Sequence, residues 1–139
     1  MTSTRPKLAF ALMDPPFESA RTTTAFRLLD AAARRGCDLK VFAYEGAVLL
    51  PFAKQQAHPN AVHGRSLEEE NHPLPKDIVA ALMAEAARHG GSLDWINCGL
   101  CVDERGAGEA IAGVRRGSPS DFWQMAKNSC NTLVIPTRG

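Results

Sequence analysis

The sequence predicts an α/β protein, a three-layer α/β/α sandwich with a mostly parallel sheet of four to five strands. Short continuous apolar runs, typical of strands buried on both faces, alternate with longer amphipathic segments that are typical of helices. Such alternation builds a parallel sheet, and its right-handed crossovers place helices on both faces. With 139 residues the chain is predicted to form a single domain, residues 1–139.

The first half of the chain predicts two strands and a helix between them. Residues 7–13 are an apolar run that ends in a proline-rich loop. Residues 19–35 carry an apolar stripe at helical spacing, and a glycine closes this helix. Residues 39–44 are the second strand, and residues 47–57 are predicted to hold a short helix over the sheet.

The second half begins with a long loop, at about residues 57–75. Loops of this length inside a compact domain usually have a function or are mobile. The remaining predicted elements follow in chain order: a helix from Pro75 to the glycines at 90–91, a strand at 93–97, a weak helix at 107–114, a helix that begins at Ser118–Pro119, and a last strand at 132–135.

Charge and hydropathy exclude two classes of partner. Sixteen Lys and Arg residues stand against fifteen Asp and Glu residues, with no long block of either sign. A nucleic-acid-binding protein normally needs a basic stripe, so no nucleic-acid partner is expected. No apolar run is long enough for a signal peptide or a membrane span, so we predict no membrane partner and a cytoplasmic location.

The most informative segment is residues 97–106, where the third strand gives way to a helical pattern. It contains Cys98 and Cys101. The carboxyl end of a parallel strand is where open α/β sheets usually hold their chemistry. A helix start also favours the thiolate, which is the nucleophilic form. Both cysteines are therefore candidate catalytic residues, whereas Cys37 and Cys130 are most simply packing residues.

Several chemistries compete for the Cys-x-x-Cys spacing. A thioredoxin-like motif would follow the first strand of its fold, whereas this one follows the third. A structural zinc site would need a second closely spaced pair of ligands, which the chain lacks. A nucleophilic cysteine that carries sulfur as a persulfide needs neither, and no cofactor or bound metal is then expected. Simple packing of both side chains is the remaining alternative.

The long loop and the strand ends offer further candidates. His58, His63 and His72 lie in the loop near an acidic triplet at 68–70. They could bind a metal, with Cys98 as a further ligand, which would give a metal-binding or small-ligand-binding protein as the alternative function. The loop could instead fold over the crevice so that one histidine tunes the thiol, or its histidines could simply be solvated. Residues that follow the strands and could neighbour the cysteines are Tyr44, Glu45 and Asn97.

Three segments, in order, resemble the DsrE/TusD-like (DsrE/DsrF-like) sulfur-transfer family. Residues 23–36 and 41–48 resemble its first helix and the following strand with an acid-glycine-valine type of turn. Residues 89–106 resemble the segment with the sulfur-accepting cysteine, and counting back from Arg105–Gly106 places that cysteine on Cys98. Residues 125–135 resemble the closing helix and strand. The likeness covers nearly the whole chain.

The resemblance implies a sulfurtransferase-type carrier that accepts sulfane sulfur as a persulfide on Cys98 and passes it on. A small sulfur-carrier protein would be the donor or acceptor, and the chain would form a homo-oligomer (a dimer, trimer or hexamer). Whether turnover is enzymatic or stoichiometric stays open. The mechanism requires that the sulfur of Cys98 be reachable and partly ionised.

The chain departs from the family pattern at three positions that follow Cys98: Cys101, Asp103 and Glu104. Asp103 and Glu104 would oppose ionisation of the thiol if they faced it, and Arg105 could offset them or be solvated. Cys101 could resolve a persulfide on Cys98 by forming a disulfide and releasing sulfide. It could equally be a packing residue.

Overall fold

The computed structural model describes residues 5–17, 19–70 and 73–137. Within these ranges the strands and helices alternate as the sequence predicts. The strands are β1 (Lys7–Leu12), β2 (Asp38–Ala43), β3 (Ser92–Cys98), β4 (Val114–Gly117) and β5 (Asn131–Ile135). The helices are α1 (Ala20–Arg34), α2 (Pro75–Arg88), α3 (Gly99–Arg105) and α4 (Pro119–Lys127). None of the helices in the described ranges is long and apolar enough to cross a membrane.

All neighbouring strands are parallel, in the order β4-β3-β2-β1-β5. The chain steps from β1 to β4 in one direction and then crosses to β5 on the other side of β1. Because crossovers are right-handed, this reversal places α4 on the sheet face opposite α1 and α2. The ring of Phe122 on α4 stacks on Phe42 of β2, with centroids 5.7 Å apart. The predicted α/β fold with a mostly parallel sheet of four to five strands is confirmed, and the sheet has five strands, all parallel.

Capping residues and a proline fix the helix starts. The Ser19 side chain accepts the N–H of Arg21 at 3.2 Å, which caps α1. Before α4, the carboxylate of Asp121 accepts the backbone N–H of Ser118 at 2.8 Å, as a capping box requires. Pro75 is the first residue of α2, where its missing N–H costs no hydrogen bond.

The predicted helix at residues 107–114 is wrong. Helix α3 ends at Arg105, because Gly106 adopts the left-handed conformation (φ +64°) that terminates helices. The next residues hydrogen-bond to a distant segment instead: Ala53 donates to the carbonyl of Glu109 at 2.7 Å, and Ile111 donates to that of Pro51 at 3.0 Å. The chain then enters β4, which the sequence analysis did not identify.

The short helix predicted within residues 47–57 is a 3-10 helix that begins earlier and spans Glu45–Leu49. Its apolar side chains belong to the core, where Val48 and Leu50 are at most 1% exposed. The long loop contains one 3-10 turn, Ala61–His63, and an isolated bridge between Asn60 and Arg65. The core itself lies between sheet and helices, with the largest fully buried side chains from β1, α1, β2 and β3: Trp95, Phe10, Leu29, Leu39 and Val41.

Candidate functional site

Three neighbouring strand ends meet at one pocket on the carboxyl edge of the sheet. In the parallel register Ala43 lies beside Asn97, and Cys98 lies beside Gly117. The turns that follow β2, β3 and β4 therefore leave the sheet next to one another. They enclose a pocket of about 230 Å³. All three turns line it, through Tyr44, Glu45, Cys98, Leu100, Cys101, Glu104, Arg105, Gly117, Ser118 and Pro119.

Cys98 is the last residue of β3, and its side chain lies in the wall of this pocket. It shares a sheet face with Ile96 and Phe42, because side chains two apart on a strand point the same way. The residue is only 2% exposed. The role predicted from the sequence requires a reachable sulfur, and Cys98 is instead almost fully buried in the pocket wall.

Cys101 lies in the first turn of α3 and lines the same pocket. Its Sγ accepts the backbone N–H of Glu45 at 3.2 Å. Burial raises the pKa of the Cys101 thiol, and the neighbouring Cys98 thiol raises it further. The Glu45 N–H and the charge of Arg105 act in the opposite direction. Near neutral pH the Cys101 side chain is therefore held as a thiol.

The donor to Cys101 comes from a strained turn. Glu45 has φ +54°, in the left-handed region that costs a residue with a Cβ roughly 1–2 kcal/mol. The next residue, Gly46, packs so closely on Pro15 that a Cβ built there would lie 2.8 Å from the Cβ of Pro15. The left-handed conformation of Glu45 and the contact between Gly46 and Pro15 thus fix the backbone of this turn. The Glu45 N–H is thereby held toward the sulfur of Cys101, and the strain of the turn is stored at the site.

The acidic residues of α3 divide between the pocket and its surroundings. Asp103 pairs with Arg116 at 3.0 Å and does not line the pocket. Glu104 lines it, and its carboxylate lies 3.5 Å from the guanidinium of Arg105. Arg105 also lies 3.7 Å from the carboxylate of Glu45. The positive charge of Arg105 is therefore shared between two carboxylates at the rim.

Asn97 and Tyr44 were both expected near the cysteines, but only Tyr44 lines the pocket. Asn97 is 1% exposed and faces away from the pocket, because adjacent strand residues point to opposite faces. Its amide donates to the carbonyl of Val48 at 3.2 Å and accepts the indole N–H of Trp95 at 3.0 Å. It therefore fastens the 3-10 helix to β3. Tyr44 lines the pocket, with its ring stacked against Phe42 at 6.1 Å.

The structure does not bring the described histidines to the cysteines. His58 and His63 are exposed, and neither lines the cysteine pocket. The ring of His58 packs edge-on against Phe17, with centroids 4.7 Å apart. His72 lies outside the described residues. Among the residues that the structure describes, no group of three or more His, Cys, Asp or Glu side chains is placed to hold a metal ion. The metal-binding alternative is therefore not favoured.

The sequence analysis missed the third wall of the pocket, formed by Gly117, Ser118 and Pro119. Ser118 and Pro119 were predicted as a helix start but not as neighbours of Cys98, because no strand was predicted between the helix at 107–114 and Ser118. A signal was present, since a helix that follows β3 must lead to another strand before α4 can begin. Leu100, which is 74% exposed at the pocket mouth, was also missed.

The fold and the sequence both have known counterparts. The DsrE/DsrF-like family model matches residues 6–135. The crystal structure of the ychN protein from E. coli superposes with a TM-score of 0.73 at 18% identity, covering 93% of this chain and 98% of that one.

A second solved structure is a conserved protein of unknown function, BT1422 from Bacteroides thetaiotaomicron. It superposes with a TM-score of 0.56 at 14% identity and covers 93% of this chain and 94% of its own. None of the curated proteins matches the sequence significantly. The family match spans nearly the whole chain, and the chain therefore belongs to the DsrE/DsrF-like family, which is generally associated with sulfur relay.

Proposed function

We propose that this protein is a sulfur carrier that accepts sulfane sulfur as a persulfide on Cys98 and passes it to another protein. One observation carries the proposal: two cysteine thiols line a single narrow pocket at the carboxyl edge of the sheet, in a chain of the DsrE/DsrF-like family. The remaining walls supply a backbone N–H donor and the charge of Arg105.

The chemistry is thiol–persulfide exchange. The thiolate of Cys98 attacks the terminal sulfur of a donor R–S–SH, so that Cys98–S⁻ and R–S–SH become Cys98–S–SH and R–S⁻. One sulfur–sulfur bond breaks, one forms, and the donor leaves as its thiolate. The acceptor repeats this step on the terminal sulfur of the Cys98 persulfide. The protein's contribution is to hold the sulfur in a place that only selected partners reach.

The pocket restricts the partners by size. At about 230 Å³ it is smaller than a typical site for a drug-sized ligand, which holds about 300–1,000 Å³. Because Cys98 is buried in the wall, a partner has to insert a sulfur-bearing side chain rather than meet it at the surface. Leu100, 74% exposed at the mouth, gives such a partner an apolar contact. We therefore infer a small sulfur-carrier protein as donor or acceptor, in the reducing cytoplasm.

Intact-mass spectrometry tests the proposal. After anaerobic incubation with glutathione persulfide, uptake is read as a gain of one sulfur atom or as release of sulfide. The wild-type protein should show one or the other, and Cys98→Ala should show neither. Cys130→Ala is the matched control, because Cys130 is an exposed thiol outside the pocket. Equal uptake by wild-type protein and Cys98→Ala, or no uptake by either, would overturn the proposal.

We also propose that copies of the chain associate through the face of the sheet that carries α4. This face has exposed apolar side chains, Trp123 at 69% on α4 and Val134 at 51% on the edge strand β5. Light scattering during size exclusion should give a multiple of 15.0 kDa for the wild-type protein and a smaller species for Trp123→Ala with Val134→Thr. Leu28→Ala, an exposed leucine on α1, should not change the mass. A wild-type monomer would contradict this assignment.

A further inference from the structure

We propose that Cys101 is the resolving thiol of this site: it attacks the inner sulfur of a Cys98 persulfide, releases hydrosulfide and leaves a Cys98–Cys101 disulfide. This inference rests on the proposed function, because it needs sulfur already loaded on Cys98. The site would then release its sulfur in one of two ways. A bound acceptor takes it by transfer, and without an acceptor the sulfur leaves as sulfide.

The step balances without an added oxidant. Cys98–S–SH and Cys101–S⁻ become Cys98–S–S–Cys101 and HS⁻. The sulfane sulfur takes up two electrons and leaves as hydrosulfide, while the two cysteine sulfurs are oxidised to the disulfide. A dithiol reductant from outside then returns both cysteines to the free thiols found in the structure.

The two cysteines are spaced for such a bond. Cys98 is the N-cap of α3 and Cys101 follows three residues later in the first turn. Residues three apart on an ideal helix have Cα atoms about 5 Å apart, from its rise and radius. Disulfides join residues whose Cα atoms are about 4.4–6.8 Å apart. Both residues line the same pocket, so their side chains open into a shared space.

Burial gives Cys101 an advantage over thiols in solution. Cys98 is 2% exposed and Cys101 is 6% exposed, so the inner sulfur of a persulfide on Cys98 would be shielded from bulk reagents. Cys101 is held next to it within the same pocket. The effective concentration of a group held in reacting geometry can reach about 10⁵–10⁸ M. The terminal sulfur, by contrast, would extend into the pocket, where a partner can take it.

The surroundings of Cys101 suit a thiol that reacts second. The Glu45 N–H at 3.2 Å stabilises negative charge on the Cys101 sulfur. While Cys98 is itself a thiolate, its charge opposes a second charge beside it. Loading moves that charge one atom further away, onto the terminal sulfur, and the Glu45 donor stays in place. A backbone donor for the Cys101 sulfur is therefore in place when Cys98 carries the persulfide.

Single-turnover loading tests the assignment. Reduced protein is mixed anaerobically with one equivalent of glutathione persulfide, and both the released sulfide and the protein mass are followed. The wild-type protein should release sulfide and lose two hydrogen atoms. Cys101→Ser should keep one extra sulfur atom and release no sulfide. Cys130→Ser should behave as the wild-type protein, and thermal unfolding should show that both variants are folded.

A second measurement uses only the wild-type protein. Trypsin cleaves after Arg88 and Arg105 and so releases both cysteines in one peptide, residues 89–105. After loading, this peptide should carry the loss of two hydrogens, which maps the disulfide to Cys98 and Cys101. A persulfide that stays on Cys98, or a disulfide that involves another cysteine, overturns the resolving role while the carrier function stands. A protein that neither gains sulfur nor releases sulfide overturns both.

Discussion

The cysteine pocket and the long loop both carry residues suited to chemistry, but in the part of the chain that the structure describes the loop histidines do not reach the cysteines. Cys98 and Cys101 are attached to a central strand and a helix, and their neighbours come from three adjoining turns. His58 and His63 lie on an exposed segment whose contacts are mostly local, such as the ion pair between Arg65 and Glu70 at 2.6 Å. Reactive residue types become a site when rigid elements aim them at one another. The following predictions test this contrast.

The largest effect on stability is expected from Asn97→Ala. It leaves the indole N–H of Trp95 and the carbonyl of Val48 without their buried partner. Two unsatisfied buried groups cost roughly 2–6 kcal/mol in the free energy of unfolding. Urea denaturation measures the loss. Because Asn97 faces away from the pocket, sulfur uptake by the folded fraction should be retained. A loss below that range would mean that this amide does not fasten the 3-10 helix.

Gly46→Ala should disturb the pocket itself. The new Cβ would lie 2.8 Å from the Cβ of Pro15, so the turn has to shift, at a cost of about 1–3 kcal/mol. The shift moves the Glu45 N–H away from the Cys101 sulfur, and sulfide release from loaded protein should slow. Gly108→Ala is a matched control, because nothing lies within 4 Å of a Cβ at that position. Equal rates in both variants would argue against a role for the turn.

The pH dependence of Cys101 gives a smaller, kinetic effect. Its pKa is raised above the usual thiol value of 9.0, so the reactive thiolate is scarce at neutral pH and increases as the pH rises past that value. Alkylation of Cys101 by iodoacetamide, located by peptide fragmentation, should therefore accelerate into the alkaline range. The charged and titratable groups around it are Cys98, Tyr44, Glu45, Glu104 and Arg105. A rate that is already constant from neutral pH upward would show that the thiol is not held protonated.

The smallest effect is expected in the loop. The double variant His58→Ala with His63→Ala changes exposed side chains that do not line the cysteine pocket. Its free energy of unfolding should stay within about 0.5 kcal/mol of the wild-type value. Sulfur uptake from glutathione persulfide should be unchanged. A marked fall in uptake would connect the loop to the site and remove the contrast between the two regions.

Much of the fold follows from local sequence, because its signals are short-range. The apolar run at 7–13, the caps at Ser19 and Ser118, and the proline at 75 each act within a few residues. Strand β4 was missed because it has few residues and a single large apolar side chain, Val114. Such an edge strand is specified by its pairing with β3 rather than by its own composition.

The site could be predicted only in part. The segment with Cys98 and Cys101 was identified from its position after a buried strand. The opposite orientations of Asn97 and Cys98 also follow from the two-residue period of a strand and could have been predicted. The burial of Cys98 and the donor at Glu45 could not. They depend on turns that are distant in sequence, since Glu45 and Cys101 are 56 residues apart.

The contact between Glu45 and Cys101 uses the main chain, and this affects how the site would respond to mutation. Every amino acid except proline keeps that amide, so replacing the Glu45 carboxylate would leave the sulfur's donor in place. Alanine scanning would therefore overlook it. Natural relatives could likewise differ in the side chain at this position and still keep the same contact. The conserved property would then be the backbone conformation of the turn rather than the identity of the residue.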